Sequence, residues 1–103
     1  MDPNEMFPVP EELLSVEELC VALHAEGVAL LEFIELGVAR PSAGPGGALL
    51  VTAAEAERLS RAFRLARELE LHAAGAALLV DLLEERERLL RRLEALECLG
   101  LRG

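Results

Sequence analysis

Apolar positions recur at helical spacing in four separate stretches of this chain. The first is SVEELCVALH, Ser15 to His24, where Val16, Leu19, Cys20 and Leu23 share one face at i, i+3, i+4, i+7. Ser15 and Glu18 fit a capping box, in which each side chain satisfies the other's backbone N–H. Glu17 and Glu18 fall in the first turn, where the helix dipole favours anions. The second stretch runs from about Glu26 to Leu36. Leu30, Phe33, Ile34 and Gly37 point to the interior, with Gly37 as the C-terminal exit. Val28, Leu31, Glu32 and Glu35 form the opposite face. Two short helices joined by a tight turn predict a helix-turn-helix.

The helical period then stops. PSAGPGG is turn chemistry without hydrophobic content, and β-capable pieces flank it at Val38–Arg40 and Leu49–Val51. A small two-stranded wing is expected there. Thr52 and Glu55 form a second capping box and open a third helix that reaches about Leu71. Its expected buried stripe is Leu59, Ala62, Phe63, Ala66 and Leu69. HAAG at 72–75 breaks or bends the chain before a long fourth helix, 76–99. There Leu79, Leu82, Leu89, Leu93 and Leu96 keep a 3,4 spacing. Leu83 and Leu90 widen the stripe, and Arg86 takes its missing position. From about Glu85 onward this helix carries more Leu than one small domain needs. Leu89, Leu93 and Leu96 are therefore expected to contact a second copy and form a homodimer.

The resulting organisation is a flexible segment at 1–12, a single helical domain at 13–97 and a frayed tail at 100–103. The fold class is all-α in the main, with a minor wing.

Composition narrows the core. Among 103 residues, 52% are apolar but only three are aromatic, all Phe. The core must be built from Leu, Val and Ala, a bias that favours helix over sheet. No apolar run reaches the roughly 18–20 residues needed to cross a membrane. The opening MDPNEMFPVPEELL is acidic and Pro-rich, unlike the basic start of a signal peptide, so a cytoplasmic location is expected. Cys20 and Cys98 are far apart in sequence and read as reduced, buried thiols.

Charge alters the picture most. The net charge is −9, and residues 1–39 hold nine acidic and no basic residues. Residues 40–103 hold ten of each. An acidic field of this kind repels phosphate and attracts basic surfaces. One feature points the other way: Arg58, Arg61, Arg64 and Arg67, spaced by three, could hold phosphate. Glu57–Arg61 and Arg64–Glu68 are i,i+4 pairs that would cancel that charge locally.

Catalytic chemistry finds no support. Only Ser15, Ser42 and Ser60 supply hydroxyls of the Ser type, and His24 and His72 lack metal-ligand company. GPGG lacks the Lys-Ser/Thr of a phosphate-binding loop. The chain reads as a binding protein without cofactor or metal.

The order helix-turn-helix, wing, helix, long helix is similar to the plan of MerR-type DNA-binding domains. Within that plan the chain resembles the CbpM chaperone modulators through ELC at 18–20, LGVARP at 36–41, RAFRLARELEL at 61–71 and GAALLVDLLEERERLLRRL at 75–93. It departs from them before Gly75, where Ala73 and Ala74 replace an aromatic and a Pro. The resemblance implies binding to the J-domain of a DnaJ/CbpA-type co-chaperone and inhibition of its stimulation of the Hsp70 chaperone DnaK. It also implies that MerR-type readers hold Arg and Tyr where this chain has Leu31 and Glu32. The expected partner-binding face is Val28, Leu31, Glu32 and Glu35, with Glu17 and Glu18 nearby. A MerR-like DNA-binding transcription regulator is the alternative.

Overall fold

The computed structural model describes residues 12–100. The segment expected to be flexible at 1–12 and the tail at 100–103 therefore lie almost wholly outside the described residues. The chain runs β1 (Leu13–Ser15), α1 (Val16–Leu23), α2 (Gly27–Glu35), β2 (Ser42–Ala43), a short 3₁₀ turn (Pro45–Gly47), β3 (Leu49–Thr52), α3 (Ala53–Glu68) and α4 (Ala73–Cys98). The mainly helical winged helix-turn-helix expected from the sequence is what forms.

Local chemistry sets the helix ends. Ser15 accepts the Glu18 N–H at 3.0 Å and starts α1. At Thr52 the capping box is complete in both directions, through Glu55. α2 ends in a Schellman motif. Gly37 takes φ +84°, its N–H donates to the Ile34 carbonyl, and Val38 N–H donates to the Phe33 carbonyl. α1 closes the same way, but the left-handed position is filled by His24 at φ +54°. The His24 N–H meets the Val21 carbonyl and the Ala25 N–H meets the Cys20 carbonyl. His24 is thus a helix terminator. The break between α3 and α4 falls at Leu69–His72, with Glu70 left-handed. HAAG is not the break: Ala73 to Gly75 already form the first turn of α4.

The sheet has three strands, where the sequence pattern predicts two. β3 is central, pairing antiparallel with β1 (Leu14 opposite Val51) and with β2 (Ala43 opposite Leu49). β1 is three residues long, too short to show an alternating pattern. Val38–Arg40 is not a strand. Val38 and Ala39 are buried in the core as the chain leaves α2. The Arg40 N–H goes to a Glu55 carboxylate oxygen at 2.8 Å instead of to a strand.

Leu30, Phe33, Val51, Leu59, Ala62, Ala76 and Val80 make the centre of the core. Some expected core positions move outward. Leu69 is exposed, because α3 has ended before it. Ile34, Phe63 and Ala66 are only half-buried, and Gly37 is exposed. α4 meets the domain through small residues, Ala76, Ala77 and Val80. Leu82 of the proposed stripe is exposed. Small side chains let α4 approach α3 closely, and the leucines are displaced to the flanks of that contact.

Candidate functional site

The outward face of α2 is built as its spacing requires. Val28, Leu31, Glu32 and Glu35 stand at i, i+3, i+4, i+7, and all four are exposed. Val28 is 73% exposed, as is Val21 of α1. Leu30 and Phe33 anchor the other side of the helix in the core. Glu17 and Glu18, in the first turn of α1, are also exposed.

The face divides between two concavities. Leu31 and Glu17 share a cleft with the tip of the wing at Gly47–Leu49. Glu32 lines a second groove of about 280 Å³ with Phe33, Phe63, Arg67, Leu71 and Ala73. The sequence pattern shows neither grouping, since each needs elements distant along the chain. Leu49, Gly27 and Cys20 in the first, and Phe63 in the second, are not among the expected site residues, and Arg67 is expected only in the phosphate-holding stripe.

The arginine stripe of α3 is partly consumed inside the molecule. Arg58 donates through Nε to Glu84 at 2.8 Å, through Nη2 to Asp81 at 2.9 Å and through Nη1 to the Val38 carbonyl at 2.6 Å. Arg61 pairs with Glu87 at 2.8 Å. That guanidinium holds the Glu87 carboxyl below the ordinary glutamate range. The acids that answer these arginines lie on α4, which corrects the Glu57–Arg61 pairing expected within α3. On α4 itself, Arg88 pairs with Glu85. Asp81, Glu84 and Glu87 repeat the spacing of three in Arg58 and Arg61, a signal visible in the sequence. Arg64 bonds back to the Ser60 carbonyl at 3.3 Å, and Arg67 lies 5.6 Å from the Phe63 ring centroid. These two remain outward, with Glu68 beside them.

Glu55 fixes the wing to α3. Its carboxylate accepts from the Arg40 N–H, the Thr52 N–H and the Thr52 hydroxyl. Those bonds, the Thr52 N–H first and then that of Arg40, hold its pKa below the ordinary range. Cys20 is half-buried. Burial, with a lesser push from the Glu17 carboxylate, raises its thiol pKa. Cys98 is exposed on the last turn of α4, against the expectation of burial. Both thiols are free. The leucines assigned to a second copy, Leu89, Leu93 and Leu96, are all exposed in the single chain. Among the described residues no His/Cys/Asp/Glu group could hold a metal, and no helix is long and apolar enough to cross a membrane.

A helix-turn-helix buttressed by a small sheet and followed by two helices defines a winged helix-turn-helix domain. The chain belongs to the MerR HTH family of regulatory proteins, whose profile matches residues 14–98. No curated protein matches the chain.

Proposed function

We propose that this MerR-family chain is a chaperone modulator. It binds the J-domain of a DnaJ/CbpA-type co-chaperone and inhibits stimulation of the Hsp70 chaperone DnaK by covering the basic J-domain surface. The observation that carries this reading is the outward face of α2. At the position of a groove-reading helix it offers Val28, Leu31, Glu32 and Glu35, with no cation anywhere in residues 12–39. Two carboxylates facing phosphate oppose DNA binding. The same face suits a basic, partly apolar protein helix, with Val28 and Leu31 for burial and the glutamates for steering and register. The commitment of Arg58 and Arg61 to α4 carboxylates removes half of the cationic stripe on α3.

Calorimetric titration with the J-domain of a DnaJ/CbpA-type protein tests the reading. Glu32→Arg combined with Glu35→Arg is expected to weaken binding at least about tenfold at low salt. Wild-type affinity is expected to fall as salt rises. Unchanged affinity in the double variant would sink the assigned face. The alternative draws on family membership: a MerR-like transcription regulator using Arg64 and Arg67. Sequence-specific gel retardation at physiological salt would favour it.

A further inference from the structure

The cleft between α1, α2 and the tip of the wing has a volume of about 380 Å³. Its walls are Val16, Cys20, Leu31, Ala48 and Leu49, and Gly27 leaves one side open. Glu17 stands on the rim. Its carboxylate forms no ion pair among the described residues, and no arginine lines the cleft. The Ser15 hydroxyl beside it is already taken by the Glu18 N–H. The site therefore presents aliphatic walls and a carboxylate with no cation beside it among the described residues.

Those two properties select an occupant. A carboxylate would be repelled, and a short polar group would leave the walls uncovered. A purely apolar side chain would strip water from Glu17 without giving it a partner, which is costly. A long aliphatic stem ending in a cation satisfies walls and rim together. The raised thiol pKa of Cys20, from partial burial and from Glu17, fits a partly desolvated wall beside a carboxylate.

We propose that this cleft receives one lysine or arginine side chain projecting from a basic helix of the partner protein, with the stem against Leu31 and Leu49 and the cation at Glu17. The proposal rests on the partner reading above and names its anchor.

Gly27 supplies the test, because a Cβ built there meets nothing within 4 Å. Gly27→Met fills the cleft from its open side. It is expected to lower J-domain affinity about tenfold while helical circular dichroism stays unchanged. Ala48→Met is the second plug should the first variant fail to fold. Glu17→Gln is expected to weaken binding about threefold and to flatten its salt dependence. A probe independent of the J-domain is n-butylguanidinium, followed by amide chemical shifts. Saturable shifts at Gly27, Gly47 and Ala48 are expected, stronger than with n-pentanol and abolished by Gly27→Met. Unaltered J-domain affinity in folded plug variants overturns the anchor even where the α2 double variant loses binding. Equal or tighter binding of n-pentanol overturns the basic occupant. If n-butylguanidinium binds at these amides while the J-domain does not bind, the co-chaperone reading falls. The cleft then stands as a receptor for a basic side chain from another protein helix.

Discussion

Among the described residues, two hold backbone conformations that side chains resist. His24 and Glu70 both take positive φ at helix ends. A non-glycine residue there costs roughly 1 kcal/mol relative to Gly. His24→Gly is therefore expected to raise stability by about 1 kcal/mol in urea denaturation. Glu55 acts in the opposite sense. Its folded pKa is depressed, so its contribution is complete above the ordinary glutamate pKa of about 4.3. It is lost as pH falls through the lower folded value. Glu55→Gln is expected to cost about 1–2 kcal/mol at neutral pH, through the weakened cap and the Arg40 N–H. Stability of the variant should then fall less than that of the parent between neutrality and acid. An identical acid profile in both chains would remove Glu55 from that role.

At the scale of elements, Arg58 is the fastener. One guanidinium holds the chain leaving α2, through the Val38 carbonyl, and the middle of α4, through Asp81 and Glu84. Arg58→Ala leaves a carbonyl and two carboxylates without that partner. Because the group is partly solvated, the expected cost is about 1–2 kcal/mol, measured by thermal denaturation. The elements themselves were largely legible. Capping pairs at Ser15/Glu18 and Thr52/Glu55, together with Gly37, announced helix ends through chemistry confined to a few residues. β1 and both clefts depend on partners far along the chain, and periodicity carries no such information; the Arg58 fastener shows in the sequence only as a matched spacing of three in Arg58/Arg61 and Asp81/Glu84/Glu87. Val38–Arg40 looked like a strand because β-branched and small residues suit one. The structure instead uses Val38 and Ala39 to fill the core. The outward face of α2 was legible because i, i+3, i+4, i+7 spacing fixes which side chains turn away together. Its division between two clefts was not.

For the whole molecule, the long helix is the open question of surface. Burial along α4 is confined to Ala76, Ala77 and Val80, and every residue from Arg88 to Cys98 is exposed. Leu89, Leu93 and Leu96 form a stripe that one copy leaves in water, so a homodimer through this segment is proposed. Leu89→Glu with Leu93→Glu is expected to give a monomer by light scattering. The helix-turn-helix core should stay folded, since neither residue belongs to it. A dimer that survives both charges would place the contact elsewhere.

The exposed Cys98 turns that proposal into a ruler. It sits on the last turn of α4, in water, whereas Cys20 is half-buried with its thiol pKa raised. A spin label offered briefly at neutral pH should attach at Cys98 first, with no engineered cysteine needed. Two such labels in a dimer report strand direction directly. Parallel helices bring the two tips side by side. An antiparallel overlap of residues 82–98 separates them by roughly 25 Å, at 1.5 Å per residue. A single distance measurement thus decides whether the two α2 faces emerge at the same end of the assembly or at opposite ends. That outcome sets whether a single bound partner could span both faces at once.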